Sequence, residues 1–415
     1  MSRPPMMQPD SDSEDEVLPP GFEERTDEDG NVFYLNHQEK KTQWTHPRTG
    51  KSKKVQGELP FGWEKEIEES TGKIIYIDRK NDKRTYIDPR LAFAVENTPR
   101  NISEIRQRFD ANSTAFQVLH GQDLSGKVAV ITGANTGIGF ETARSLAFFG
   151  CRVLLACRSQ SKTEEAIEKI RKERDSAGER CSFIPLDLCS MRSVKQAAEL
   201  IKKQVTHIDM LILNAAVFAL PYTQTEDQLE TTFQVCHLAH FYLCKLLDEC
   251  LDRRSRVVVV SSESHRFSWL PPSDLGEQVL SPPAKQYYSM MAYNNVKLCN
   301  VLFARGLAKE LSYKGVCVNA LHPGNMVSTS LSRNWWFYRI LFAFVRPFTK
   351  SLQQAASTTI YVATANELTG VSGQYFNNCF FCEPSKLAQN NEMVDSLWQV
   401  SEQILDHILQ EKDLK

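Results

Sequence analysis

Apolar positions in this chain follow two different rhythms. Val128–Thr132, Arg152–Cys157, Ser182–Leu186, Met210–Asn214, Arg256–Ser261 and Val316–Leu321 are short, nearly unbroken apolar runs, each followed by a longer amphipathic stretch. Such runs suit strands buried on both faces. Their alternation with helices predicts an α/β domain on a doubly wound parallel sheet over residues 121–385. Upstream the rhythm is shorter, and it repeats. Leu18-Pro19-Pro20-Gly21-Phe22 opens a unit that closes at Trp44-Thr45-His46-Pro47, and Leu59-Pro60-Phe61-Gly62-Trp63 opens a second that closes at Tyr86-Ile87-Asp88-Pro89. β-rich runs with turn signals at Asp29-Gly30 and Thr71-Gly72 predict two small three-stranded all-β modules, residues 18–50 and 59–91. Residues 1–17, with the acidic run Asp12–Glu16, read as a disordered tail. Residues 92–120 read as a linker holding at most a short helix from Ser113, and 386–415 as a C-terminal helical tail.

Composition removes several classes of function. The 49 Lys and Arg nearly balance the 51 Asp and Glu, so nucleic-acid binding has no global electrostatic support. Met1 to Asp10 lack a basic segment followed by an apolar one, which speaks against a secretory signal. The most apolar stretch, Trp335–Val345, is interrupted by Arg339 and falls short of the roughly 20 residues a spanning helix needs, so no transmembrane segment is expected. Eleven cysteines without a signal read as reduced thiols, and the lone pair Cys379 and Cys382 has no second pair to complete a metal site. These features point to the cytoplasm or nucleus.

The first apolar run leads into Gly133-Ala134-Asn135-Thr136-Gly137-Ile138-Gly139 and then a helix. Glycines permit the tight turn and a close backbone approach, and a helix N-terminus faces phosphate, so this turn predicts a dinucleotide site. The second run is followed by Arg158, a cation that favours a ribose 2′-phosphate and hence NADP(H), unless it merely faces solvent. Tyr293 and Lys297 stand four apart, on one face of a helix. With an ordinary pKa of about 10 a tyrosine is a poor base, and a nearby ammonium with the oxidised nicotinamide would lower it. The plain alternative is an exposed helix pair.

Taken in order, the glycine turn, Ser261-Ser262 at a strand end, Tyr293-x-x-x-Lys297 and His322-Pro323-Gly324 resemble the short-chain dehydrogenases and their Rossmann-type sheet. The resemblance implies that Asp187 contacts adenine, that Asn214 lies beside the cofactor and that Lys297 bonds the nicotinamide ribose. It also implies that Ser262 binds the reacting oxygen of the substrate while Tyr293 exchanges the proton. Two departures stand out. Cys236 replaces the family's Asn; it is expected to keep the backbone carbonyl but lose the side-chain bonds that shape a helix kink, weakening proton relay. Val296 stands before the lysine where many relatives have Ser, a packing change. The long Ser262–Tyr293 interval is similar to the retinol-dehydrogenase-like branch. With the aromatic 335–345 segment it suggests an apolar lid over a small lipophilic substrate, or else core or dimer contacts.

The two N-terminal units resemble WW domains, which bind proline-rich peptides. In the first, Pro19, Phe22, Tyr34 and Pro47 would form the structural clasp, although the family usually has Trp where Phe22 stands. Strand alternation puts Phe33, Leu35 and His37 on the other face with Thr42 and Trp44. Phe33 and Trp44 are expected as two parallel aromatic walls for a polyproline II ligand, with Leu35 and His37, by resemblance, holding the tyrosine of a Pro-Pro-x-Tyr partner. The second unit has Ile75, Arg79 and Tyr86 at the corresponding places and is expected to bind weakly and to support the first. Lys51, Lys53 and Lys54 between them form either a nuclear import signal or a solvated linker. Two such units before a dehydrogenase domain are similar to a family of oxidoreductases acting in signalling and apoptosis, some associated with mitochondria. Within that resemblance the chain is either a working enzyme or an adaptor whose dehydrogenase domain is a cofactor-binding scaffold.

Overall fold

The computed structural model of the 415-residue chain describes residues 18–27, 30–48, 52–55, 59–60, 62–68, 74–93, 95–96, 105, 107–324 and 351–412. The acidic tail 1–17, Lys51 and the aromatic 335–345 segment lie outside the described residues. The chain divides into two compact units, 1–105 with 121–123 and 106–120 with 124–415.

In the first unit, β1 (Phe22–Thr26), β2 (Val32–Asn36) and β3 (Lys41–Gln43) form one antiparallel sheet. Between the repeats, β4 (Lys53–Lys54) pairs with β8 (Val95–Glu96). The second repeat forms its own sheet from β5 (Trp63–Ile67), β6 (Ile74–Asp78) and β7 (Lys83–Thr85). A three-stranded module buries too little apolar surface to stand without extra contacts, and these modules share theirs. Tyr34, Val32 and Val55 form a core packed by Leu18, Phe22 and Leu91, the last from the end of the second repeat. Asp88, 1% exposed, accepts hydrogen bonds from Tyr76 Oη at 2.9 Å and Thr26 Oγ1 at 3.2 Å, and from Arg90 Nε at 3.0 Å.

In the second unit eight strands form one sheet in the order β11-β10-β9-β12-β13-β14-β15-β16. They are β9 (Val128–Thr132), β10 (Arg152–Cys157), β11 (Cys181–Pro185), β12 (Met210–Leu213), β13 (Arg256–Val260), β14 (Cys317–His322), β15 (Tyr375–Asn377) and β16 (Phe380–Phe381). Seven run parallel, and only β16 turns back. The six expected strands are present, each boundary within one residue; β15 and β16 are additional. The order reverses between β9 and β12, so a crevice opens at their carboxyl ends, where open α/β sheets bind ligands.

Helices cover both faces: α1 (Ala115–Leu119), α2 (Gly137–Phe148), α3 (Gln160–Glu173), α4 (Asp175–Glu179), α5 (Met191–Gln204), α6 (Thr231–Phe233), α7 (Ala239–Leu246), α8 (Glu277–Leu280), α9 (Ser289–Glu310), α10 (Leu352–Thr364), α11 (Lys386–Gln389) and α12 (Asn391–Glu411). Two expectations need correcting. Residues 107–120 are not linker: Ala115, Val118 and Leu119 are buried in the second unit, and Phe116 packs edge-on to Phe149 at 5.7 Å. Nor are the described residues of the expected 386–415 tail, 386–412, a tail, since Met393, Leu397, Ile404 and Ile408 of α12 belong to the main core and Trp398 meets Phe241 at 4.8 Å. Both follow from helical spacing that brings apolar residues to one face.

Candidate functional site

The glycine turn at the end of β9 is built for close approach. Gly133 and Gly137 hold φ of 67° and 61°, values that side chains other than glycine's adopt rarely. A Cβ on Gly139 would lie 2.5 Å from Asn214 Nδ2. Thr132 Oγ1 accepts the N–H groups of Asn214 and Ala215, each at 3.0 Å, and Asn214 Nδ2 donates to the Thr132 carbonyl at 2.9 Å. Those bonds lock the start of the β12 loop against the turn. Thr136 begins α2 without a side-chain cap, leaving the first-turn N–H groups uncapped by its side chain. Ala134, Asn135 and Ile138 complete the loop. A turn that a Cβ would fill, opening on such a helix end, fits a dinucleotide pyrophosphate. Arg158 is exposed immediately after β10, and Asp187 follows β11, its Oδ1 accepting from Cys189 N at 3.0 Å.

Tyr293 and Lys297 share one face of α9, which is tied to the end of β13. Lys297, 2% exposed, donates from Nζ to the Val260 carbonyl at 3.0 Å, and Ser261 Oγ donates to the Lys297 carbonyl at 2.6 Å. An exposed helix pair is therefore ruled out. Lys297 Nζ lies 5.5 Å from the Tyr293 ring centre, and Phe218 meets that ring edge-on at 4.7 Å. Ser262 caps the turn after β13, its Oγ accepting from Ser264 N at 3.2 Å. Burial pushes the Tyr293 phenol above the ordinary tyrosine value; the Cys236 thiol adds to this and a Ser262 hydrogen bond opposes it. Burial likewise pulls Lys297 below the usual lysine value. These directions belong to the protein groups alone: desolvation dominates the phenol, while the Lys297 ammonium is engaged with Val260.

Cys236 corrects another expectation. Its side chain does keep partners, taking the Val217 N–H at 3.3 Å and reaching the Val217 carbonyl at 3.7 Å. The helix still kinks: Gln234–Leu238 form a π-turn between α6 and α7. The Cys236 carbonyl accepts from His240 Nδ1 at 3.3 Å and, in the amide orientation that satisfies both its ends, from Asn300 at 2.9 Å. His240 Nε2 faces Thr132 Oγ1 at 2.9 Å, joining this kink to the glycine turn. Sequence reasoning missed His240 and Asn300; their only signal was spacing, His240 lying one helical turn after Cys236.

On the first repeat, Phe33, Leu35, His37, Thr42 and Trp44 do occupy the face opposite the buried Val32 and Tyr34. Leu35 pairs with Thr42 across the sheet, and Trp44 is 52% exposed. Phe33 and Trp44 are not parallel walls, however. Their ring centres stand 5.5 Å apart at 59°, the tilted geometry that aromatic pairs prefer. His37 Nε2 lies 2.8 Å from Glu23 Oε2. On the second repeat Arg79 pairs with Glu64 and Glu66 at 2.8 and 2.9 Å, and Tyr86 Oη donates to Glu68 at 3.1 Å. Lys53 and Lys54 lie on β4, not on an irregular linker. Among the described residues no helix is long and apolar enough to cross a membrane.

The short chain dehydrogenase family matches residues 127–270, and the WW domain family matches residues 18–47. A WW domain-containing oxidoreductase of Drosophila melanogaster is 60% identical over 404 residues, covering 97% of this chain and 98% of its own. That of Homo sapiens is 50% identical and covers 96% of each chain. Retinol dehydrogenase 12 of Mus musculus is 41% identical over 68% of this chain and 87% of its own. Among solved structures, an uncharacterised protein from Mycobacterium paratuberculosis superimposes with a TM-score of 0.54 at 29% identity, over 68% of this chain and 94% of that one. Strand order, glycine turn, the Tyr293–Lys297 pair and N-terminal repeats agree with these likenesses, and the chain belongs to the family of WW domain-containing oxidoreductases, with a short-chain dehydrogenase domain.

Proposed function

We propose that the second unit interconverts an alcohol and a carbonyl on an apolar, retinoid- or steroid-like substrate with NADP(H), while the first repeat docks it to Pro-Pro-x-Tyr proteins. The observation that carries this reading is Tyr293 and Lys297 on a helix fastened to the strand that presents Ser262, together with a glycine turn that has no room for a Cβ at Gly139. Gly133 to Gly139 would hold the pyrophosphate, Arg158 the 2′-phosphate, and Asp187 and Asn214 the adenine and nicotinamide sides. When bound, the cofactor supplies or accepts the hydride. In the reducing direction Tyr293, kept protonated by burial, donates its proton to the substrate oxygen, which Ser262 Oγ holds by a hydrogen bond. Lys297 sets a cation against the phenol ring and so lowers the cost of the phenolate left behind. The likeness to a retinol dehydrogenase supports the substrate class, and Arg158 supports the phosphorylated cofactor.

The test is NADPH oxidation across retinoids and steroids, comparing the wild-type chain with Tyr293→Phe. A fall in kcat of about 10²–10⁴-fold with unchanged NADPH affinity is expected from loss of a general acid. One observation favours the adaptor as a second reading: the Cys236 carbonyl already accepts from His240 and Asn300, leaving less capacity for a relay water. Tight NADPH binding with no difference between the two proteins on any substrate would establish that reading.

A further inference from the structure

The turn after Ser262 is held from far along the chain. His265, 1% exposed, points Nδ1 at the Ser262 carbonyl at 2.7 Å, while its Nε2 receives the Ser385 N–H at 3.0 Å. A backbone N–H can only donate, so Nε2 is the acceptor and Nδ1 carries the proton. Three neighbouring contacts join the same two segments. Tyr375 Oη donates to Glu263 Oε1 at 3.0 Å, Arg266 Nη2 donates to the Glu383 carbonyl at 2.6 Å, and the Tyr375 ring meets the His265 ring at 5.0 Å. Every residue from Glu263 to Arg266 except Ser264 is thereby tied to residues 375–385.

We propose that His265 is a positioning residue for Ser262, its Nδ1 donor holding the peptide that carries the hydroxyl expected to bind the reacting oxygen. The inference rests on the catalytic reading of Ser262. Burial keeps the imidazole below its ordinary pKa, so it stays neutral, as one donor and one acceptor require. The two nitrogens do separate work. Nδ1 fixes the peptide that carries the Ser262 side chain, and Nε2 fixes the imidazole against α11, whose cap is Ser385. The 3₁₀ turn itself has its own bond, His265 N to the Ser262 carbonyl at 3.1 Å, so losing the ring releases orientation before it releases the turn.

The experiment compares the full-length wild type with His265→Ala, His265→Asn, His265→Gln and Ser262→Ala, using all-trans-retinal and NADPH as the probe. An Asn amide can replace the Nδ1 donor, and a Gln carbonyl can replace the Nε2 acceptor. Ala and Gln are expected to lower kcat by about 10- to 100-fold, as a displacement of about 1 Å at a reacting group does. Asn should recover most of that, and KM and NADPH affinity should hold in all three. Equal kcat for Asn and Ala, or losses confined to KM, would overturn the proposal. Full kcat in Ser262→Ala would instead remove the catalytic reading of Ser262, and the proposal with it. Hydrogen exchange of residues 262–268 needs no substrate. It must rise in Ala and Gln but not in Asn, and identical exchange in all four histidine-site proteins equally overturns the proposal.

Discussion

Replacing Gly139 with alanine tests the glycine turn at its tightest point. The new Cβ would lie 2.5 Å from Asn214 Nδ2 and closer still to the Gly133 carbonyl oxygen, where ordinary van der Waals contact begins at 3.4 Å. The Asn214 contact alone demands a movement of 3.4 − 2.5 = 0.9 Å. Neither neighbour can yield freely. Gly133 O is backbone, and Asn214 Nδ2 already donates to the Thr132 carbonyl. Overpacking of this kind costs about 1–3 kcal/mol. For a domain of this size that lowers Tm by about 2–4 °C per kcal/mol. Because the displaced atoms line the turn, NADPH affinity should fall by a comparable free energy, about 5- to 150-fold. Gly276→Ala is the control: nothing lies within 4 Å of its Cβ, and a change of no more than about 0.5 kcal/mol is expected. Differential scanning fluorimetry and NADPH titration by fluorescence read both quantities. A Gly139→Ala protein with wild-type Tm and NADPH affinity would refute the close-approach argument.

Three further outcomes follow from other parts of the molecule. Trp44→Ala removes the exposed half of the Phe33–Trp44 pair and should weaken binding of a Pro-Pro-x-Tyr peptide by about 30-fold or more, as expected of an aromatic anchor; calorimetry on the full chain checks it. Asp88→Ala strips the acceptor from Tyr76, Thr26 and Arg90, and should cost about 1–3 kcal/mol and reduce peptide affinity although Asp88 lies outside the peptide face; unchanged peptide binding would argue against coupling of the two repeats. Burial lowers the pKa values of His237 and His240 to about 3 and about 4. The unfolded chain therefore binds more protons between those values and about 6.5, so stability present above pH 6.5 is lost as pH falls through that window. Thermal melts across it should show the decline, and His240→Gln should flatten the slope.

The legibility of each part in the sequence tracks the distance over which its cause acts. β9 and β10 match their apolar runs because a strand buried on both faces writes its whole length in Val, Ile and Leu. β15 does not, being three residues long and held by partners far along the chain: Tyr375, Phe376 and Asn377 pair with Ala320, Leu321 and His322 of β14. Tyr293 and Lys297 were visible as a spacing. That Lys297 is engaged with Val260, and that burial raises the tyrosine, depends on packing that spacing does not encode. Cys236 shows the limit most sharply. Read as a missing Asn, it predicts lost side-chain bonds and a weakened kink, yet sulfur reaches both polar atoms of the Val217 backbone and the π-turn remains. The backbone carbonyl of Cys236, which any side chain leaves in place, has His240 and Asn300 as its partners, and spacing in the sequence does not bring those three together. Cofactor binding and turnover meet at Thr132, which fixes the Asn214 loop with its oxygen and faces His240 at the kink, so a change at Cys236 that moves the kink should lower kcat and shift NADPH affinity together.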